Sequence, residues 1–244
     1  TDFWVETADK KSKKSYVQHF YNNMYDKDEP VIGSLGNKGK SYTCIKFKPD
    51  FDKFGINGLS DDMVSLFKKR VYDIAACTQN NVKVYLNNNL VDIKNFQELI
   101  SMFYDNDDED AVYSKPIYSV VNDRWKIGAI YDPHAGHNQI SYVNGICTFQ
   151  GGSHVKHVTG QIVDGLVEHI KTKDKNVHIR TGHIRENITL FIESTIEDPS
   201  FSSQTKELLT NKVATFGSRC DISEEFIKDL AKTGIVDEVL SFFY

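Results

Sequence analysis

The stretch GGSHVKHVTGQIVDGLVEHI, residues 151–170, has the pattern of a long amphipathic helix that opens behind two glycines. Its apolar residues recur every three or four positions and therefore share one face of the helix. They are Val155, Val158, Ile162, Val163, Leu166 and Ile170. Strand patterns precede this helix at residues 117–121, 124–131 and 139–143, and another follows at residues 188–193. A helix packed on strands predicts an α+β fold in two layers.

The first part of the chain adds more strands. Residues 3–7, 15–22 and 42–47 have side chains that alternate in character with a period of two, which is typical of half-buried strands. A lysine-rich turn at residues 9–14 separates the first two of them. Residues 26–40 show no such alternation and are expected to form a loop.

Two serines predict helix starts because each is followed by acidic residues that suit the first turn of a helix. Ser60 precedes an apolar face that runs from Met63 to Ile74, and Ser223 precedes Glu224. Between these regions, residues 82–93 are predicted to form a hairpin that turns at Asn87-Asn88-Asn89, and residues 95–104 a short helix.

The run DNDDED, residues 105–110, divides the chain. Acidic side chains this close together repel one another and cannot be buried, so the run is expected to be a solvated connector between two domains.

Composition limits the class of protein. The chain has 244 residues, 40% of them hydrophobic, and a formal net charge of −5. Its apolar runs are too short for a membrane span, and no signal peptide is expected. The four cysteines are widely spaced, which indicates a reducing compartment rather than a disulfide framework. The chain opens with Thr1 and not with methionine, so it is expected to be part of a longer protein.

Eight short motifs resemble one family, and they follow in its order across nearly the whole chain. They are Val5-Glu6-Thr7-Ala8, Tyr42-Thr43-Cys44-Ile45, Val121-Asn122-Asp123-Arg124-Trp125, Ser141-Tyr142-Val143-Asn144-Gly145, Gly151-Gly152-Ser153-His154-Val155, Asp198-Pro199-Ser200-Phe201, Gln204-Thr205-Lys206-Glu207 and Phe216-Gly217-Ser218. In these motifs the chain resembles the ATPase region of eukaryotic-type DNA topoisomerase II.

The resemblance implies a domain order. Residues 1–105 would be the C-terminal part of a GHKL (Bergerat) ATPase domain, an α/β sandwich, and residues 106–110 the acidic connector. Residues 111–244 would be the transducer domain, with a left-handed βαβ-type mixed sheet packed by helices. The family's Mg²⁺ ligands, general base and ATP lid are expected upstream of this chain.

The resemblance also implies a function. The parent enzyme would hydrolyse ATP to pass one DNA duplex through another, as a homodimer in the nucleus. This segment would sense ATP and couple its hydrolysis to movement of the DNA gate, and the chain alone is expected to be inactive. Two alternatives remain: a stand-alone DNA- or partner-binding module without catalysis, and a MutL-like mismatch-repair ATPase.

Lys206 and Gln204 are the leading site residues, with catalytic and ATP-binding roles that the resemblance implies. A lysine ammonium is a point charge suited to the terminal phosphate of ATP, and a glutamine amide adds a donor beside it. In the family this loop reaches into the ATP-binding domain and reports hydrolysis. The alternative for Gln204-Thr205-Lys206 is a solvent-facing turn.

Three further assignments concern ATP, DNA and metals. The family counterpart of Thr43 lies near the adenine, although a strand threonine is also a common β-former. Lys171, Lys173 and Lys175 follow the long helix where the family's DNA-facing loop lies; the alternative is a solvated helix end. The pairs His134/His137 and His154/His157 have no supporting cysteines or acids, so no metal is assigned.

Overall fold

The computed structural model describes residues 1–36, 39–79, 81–104, 113–134, 136–173 and 177–241. By packing, the chain divides into two units, Thr1–Val64 and Ser65–Tyr244. The predicted connector at residues 106–110 lies outside the described residues, and the domain boundary there stays a prediction. The packing division falls earlier along the chain.

The first unit contains one antiparallel sheet of five strands. The strands are β1 (Asp2–Asp9), β2 (Lys14–Tyr21), β3 (Asp26–Lys27), β4 (Val31–Ser34) and β5 (Tyr42–Lys48). Strand β1 lies between β2 and β5, and β3 and β4 both pair with β2. The three strands that alternation predicted are confirmed, and the lysine-rich turn joins β1 to β2.

The prediction of a loop over residues 26–40 is wrong where β3 and β4 form. Strand β4 pairs with the first half of β2, from Lys14 opposite Ser34 to Val17 opposite Val31. Such short edge strands depend on a partner that lies elsewhere in the sequence. The local signal was limited to the β-branched pair Val31-Ile32.

The second unit is built on a five-stranded mixed sheet with helices around it. Helix α1 (Asp61–Cys77) begins just before the packing division. The elements that follow are β6 (Tyr85–Leu86), β7 (Asn89–Leu90), α2 (Phe96–Ser101), β8 (Ile117–Asn122), β9 (Trp125–Tyr131), β10 (Asn138–Val143), β11 (Ile146–Cys147), α3 (Ser153–Lys173), α4 (Thr181–Glu186), β12 (Ile188–Ser194), α5 (Glu224–Leu230) and α6 (Val236–Ser241).

The strand order in this sheet is β11-β10-β12-β9-β8. Strands β10 and β12 are parallel neighbours, and α3 lies between them along the chain, so they form a βαβ unit. Strand β9 pairs antiparallel with both β12 and β8. The predicted α+β class and mixed sheet are confirmed.

Both faces of the mixed sheet are covered. On one face, Ile127 and Ile192 pack in a buried cluster with Ile162 and Leu166 of α3. The opposite face buries Phe191 in a second cluster that includes residues of α1 and α2. The unit therefore has three layers where two were predicted, because α1 and α2 pack on the face away from α3.

The predicted helix starts are confirmed at atomic detail. The Oγ atom of Ser60 accepts a hydrogen bond from the Met63 backbone at 3.2 Å, and that of Ser223 accepts one from Phe226 at 3.2 Å. In the predicted hairpin, Asn87 and Asn88 both adopt positive φ, as a tight two-residue turn requires. The paired strands β6 and β7 are shorter than the pattern indicated.

Candidate functional site

The loop that carries Gln204 and Lys206 has a paired stem. Phe201 and Leu209 form an antiparallel bridge, and the Ser202 backbone N–H donates to the Leu208 carbonyl at 3.1 Å. Below them, the side chain of Asn211 accepts a hydrogen bond from the Ser200 N–H at 2.6 Å. These contacts close the loop at its base and leave Ser203 to Lys206 at its tip.

The tip of the loop is a tight turn. The Lys206 N–H donates to the Ser203 carbonyl at 3.1 Å, and the hydroxyls of Ser203 and Thr205 lie 2.7 Å apart. Lys206 adopts a φ of +59°, which costs free energy for a residue that has a Cβ. Such strain persists only where the surrounding structure imposes it, and here the paired stem does so.

The loop is docked on the start of α3 through backbone hydrogen bonds. The Leu209 N–H donates to the Gly151 carbonyl, and the Ser153 N–H donates to the Leu209 carbonyl, both at 3.1 Å. Gly152 has a φ of +142°, and a Cβ at that position would lie 2.4 Å from the Leu209 carbonyl oxygen. Only glycine permits this approach, so the two glycines are the anchor of the loop.

The side chains at the tip are available to a ligand. Gln204 is exposed and Lys206 is half-buried. Within the described ranges, neither side chain takes part in a hydrogen bond or ion pair. The loop therefore carries an ammonium and an amide donor that have no partner in the described part of the chain.

Glu207, the residue after Lys206, is hydrogen-bonded to Gln150. The Gln150 backbone N–H donates to the Glu207 carbonyl at 2.9 Å, and the Gln150 side-chain amide donates to the Glu207 carboxylate, also at 2.9 Å. Sequence reasoning did not single out Gln150. The two residues are 57 positions apart, so no local pattern could have revealed the contact.

Thr43 lies on β5 in the first unit, opposite Thr7 of β1. The two threonine hydroxyls are 3.4 Å apart, and the Thr7 hydroxyl donates to the Tyr42 carbonyl at 3.1 Å. Thr43 is exposed. Its hydroxyl retains capacity for a further hydrogen bond.

The candidate DNA-binding lysines are partly described. Lys171 and Lys173 are exposed in the last turn of α3, while Lys175 lies outside the described residues. Residues two apart on a helix do not face each other, so Lys171 and Lys173 point to different sides of α3. In the part of the chain that the structure describes, neither forms an ion pair.

One histidine of each pair makes a polar contact within the fold. His154 is fully buried, and its Nε2 lies 3.1 Å from the hydroxyl of Thr148, which is 2.5 Å from that of Ser141. Burial lowers the pKa of His154 to about 4. This chain of polar groups ties the first turn of α3 to β10. His137 Nδ1 lies 3.2 Å from the Arg185 carbonyl oxygen.

The described residues offer neither a metal cluster nor a membrane-spanning helix. No group of three or more His, Cys, Asp or Glu side chains among them is arranged to hold a metal ion. None of the described helices combines the length and the apolar character needed to cross a membrane.

Comparison with known proteins identifies the family. Residues 81–244 match the family model described as DNA gyrase B. The chain is 46% identical over 242 residues to a DNA topoisomerase 2 of Acanthamoeba polyphaga mimivirus, and 44% identical over 245 residues to a probable DNA topoisomerase 2 of Dictyostelium discoideum. These alignments cover 98% and 99% of the chain.

A solved structure agrees with these relatives. The ATPase region of Saccharomyces cerevisiae topoisomerase II is similar over 100% of the chain, with a TM-score of 0.90 and 36% identity. The chain spans 61% of that structure, and 19% and 16% of the two curated relatives. The chain thus belongs to the DNA gyrase B family of type II DNA topoisomerases, and its relatives are of the eukaryotic type.

Proposed function

We propose that this chain is the ATP-sensing and signal-transmitting part of an ATP-dependent type II DNA topoisomerase, which passes one DNA duplex through another. The observation that carries the proposal is the Lys206 ammonium, which has no ion pair among the described residues and stands on a loop anchored to α3. Lys206 contacts the terminal phosphate of ATP, and Gln204 donates to a neighbouring phosphate oxygen.

The donor groups fit a phosphate. Lys206 and Gln204 offer N–H donors, and phosphate oxygens accept them. A charge-assisted hydrogen bond of this kind contributes about 1.5 to 3 kcal/mol. The bonded stem restricts the backbone before ATP arrives, so little conformational entropy is lost when the contact forms.

Transmission runs through the backbone. The hydrogen bonds of Leu209 to Gly151 and Ser153 link the loop to the start of α3. Helix α3 has 21 residues and is therefore roughly 31 Å long. A displacement of the loop would be carried to the far end of α3, where Lys171 and Lys173 stand.

Lys206→Met in the full-length protein tests the phosphate contact. We expect ATP turnover to fall by about tenfold to 150-fold, the rate equivalent of the missing hydrogen bond. Lys212→Met is the matched control, because Lys212 is an exposed lysine at the base of the same loop. Equal turnover in the two variants would remove Lys206 from the ATP site.

Thr43 contacts the adenine, directly or through a water molecule. Thr43→Val keeps the shape of the side chain and removes its hydroxyl, so ATP affinity is expected to fall while the stability of β5 is retained. Calorimetric titration of the full-length protein with a non-hydrolysable ATP analogue measures this, and unchanged affinity would contradict it.

The 244-residue chain alone is expected to show no appreciable ATP hydrolysis. The resemblance to the topoisomerase II ATPase region implies that the Mg²⁺ ligands and the general base are other residues of the full-length protein. Phosphate release from the purified chain, with Mg²⁺ present, is the measurement. Turnover that disappears in Lys206→Met would contradict this assignment.

Lys171, Lys173 and Lys175 bind DNA phosphates without sequence preference. Neutralising all three should flatten the dependence of log affinity on log salt by up to about 0.9 for each phosphate that no longer has a lysine partner. The matched control neutralises Lys10, Lys11 and Lys13 in the turn between β1 and β2, which changes the net charge equally. Equal slopes for the two triple variants would mean that these lysines do not bind DNA and form a solvated helix end.

The full-length protein is a nuclear homodimer in this proposal. Light scattering with and without a non-hydrolysable ATP analogue tests dimerisation, and imaging of a tagged full-length protein tests its location. A monomer under all conditions would contradict the first part, and exclusion from the nucleus the second.

A further inference from the structure

Lys206 is followed by an acidic residue, Glu207, and the two are directly bonded along the chain. Their Cα atoms are about 3.8 Å apart, so two long side chains of opposite charge lie within reach of each other. Even so, no ion pair joins them in the structure. The Glu207 carboxylate instead accepts a hydrogen bond from the Gln150 side-chain amide at 2.9 Å.

A free carboxylate beside Lys206 would interfere with a phosphate sensor. It would attract the ammonium in competition with a phosphate, and it would repel the phosphate itself. At a partly exposed position such an ion pair contributes up to about 1 kcal/mol, which corresponds to a factor of about five in binding.

We propose that Gln150 is a positioning residue that holds the Glu207 carboxylate away from Lys206 and so keeps the ammonium free for a phosphate. The inference rests on the function proposed for Lys206. Gln150 acts through Glu207 and does not itself contact ATP.

The backbone geometry separates this role from simple tethering. The Gln150 N–H already donates to the Glu207 carbonyl, and Leu209 is bound to Gly151 and Ser153. These backbone bonds survive when the Gln150 side chain is shortened. Gln150 is exposed, so its side chain adds little buried area, and its main effect is on where the carboxylate lies.

The isolated chain provides a direct test through the reactivity of lysine amines. In Gln150→Ala the released carboxylate should pair with Lys206 and slow acylation of its amine by about twofold to fivefold, measured by mass spectrometry. Lys212 in the same sample is the internal reference. In the double variant Gln150→Ala/Glu207→Gln no carboxylate is present, and the original rate should return.

Two results would overturn the inference. One is an unchanged acylation rate in Gln150→Ala, which would mean that the carboxylate does not reach Lys206. The other is a slower rate that Glu207→Gln fails to restore, which would mean that Gln150 only tethers the loop. Urea unfolding of each variant should give an unchanged midpoint, since Gln150 is exposed and Glu207→Gln keeps the size of a half-buried side chain.

The full-length protein separates this inference from the proposed function. Gln150→Ala should raise the Kd of a non-hydrolysable ATP analogue by about twofold to fivefold, and the double variant should reverse the increase. In a Lys206→Met background, neither Gln150→Ala nor Glu207→Gln should change the Kd of the analogue. If Lys206→Met leaves analogue binding intact, the proposed function fails whatever the acylation shows. If Lys206→Met weakens binding but Gln150→Ala does not, only the positioning role fails.

Discussion

The two sheets of this protein differ in how much they bury. In the described part of Thr1–Val64, Ala8 is the only apolar residue that is buried, and Phe47 on β5 is 66% exposed. In the mixed sheet of the second unit, Phe191 on β12 is fully buried in the cluster that includes residues of α1 and α2. The first sheet is therefore held mainly by backbone hydrogen bonds and cross-strand contacts, whereas the second is held by a core.

This difference bears on the proposed function. A core of interlocked side chains transmits displacement because it resists compression, and the loop with Lys206 is hydrogen-bonded to a helix of that core. The sheet of the first unit carries Thr43, an exposed residue, on β5.

The largest expected effect contrasts the two strand phenylalanines. Phe191→Ala should lower the free energy of unfolding by about 3 to 5 kcal/mol, because it leaves a cavity in the buried cluster beneath α1 and α2. Phe47→Ala, the matched change on the sheet of the first unit, should lower the free energy of unfolding by about 0.5 kcal/mol. Urea unfolding followed by circular dichroism measures both. Similar losses would mean that the first sheet also has a core.

Acid should destabilise the second unit through His154. Its pKa is about 4 in the folded state and about 6.5 when unfolded, so the unfolded state binds the proton more tightly. The contribution is present above pH 6.5 and is lost as pH falls towards 4, with a total of about 3 kcal/mol. The unfolding free energy at pH 7 and pH 4.5 should differ less in His154→Gln than in the parent. An identical pH dependence would show that His154 does not remain neutral inside the fold.

A third experiment tests whether the Lys206 loop is held by the packed second unit. Gly152→Ala should cost about 2 to 3 kcal/mol, because the new Cβ meets the Leu209 carbonyl and the backbone has positive φ. Amide hydrogen exchange at residues 201–209 should then accelerate. Gly160→Ala, on the same helix with no atom within 4 Å of its Cβ, should instead stabilise by up to about 1 kcal/mol. Slow exchange in Gly152→Ala would show that the stem alone holds the loop.

Sequence patterns predicted the strands and helix starts that depend on residues close together in the chain. Alternation found β1, β2 and β5, and the hydroxyls of Ser60 and Ser223 marked the helix starts that the structure contains. Strands β3 and β4 were missed because their stability comes from β2, and Gln150 was missed because its partner is distant in sequence. The roles of Lys206, Thr43 and Lys171 came from resemblance to a family, and they remain predictions.

The smallest expected effect concerns cross-strand contacts on the sheet of the first unit. Lys46 and His19 flank Trp4 on the two neighbouring strands; the Lys46 ammonium lies 5.0 Å from the Trp4 ring centroid, and the His19 ring stacks on it at 4.5 Å. Lys46→Met removes the charge but keeps an apolar side chain, so unfolding should become easier by about 0.5 kcal/mol. Circular dichroism during urea unfolding measures the change. A loss as large as that of Phe191→Ala would mean that the contacts of Trp4 form a small core. The contrast between an exposed sheet and a sheet with a buried core would then no longer hold.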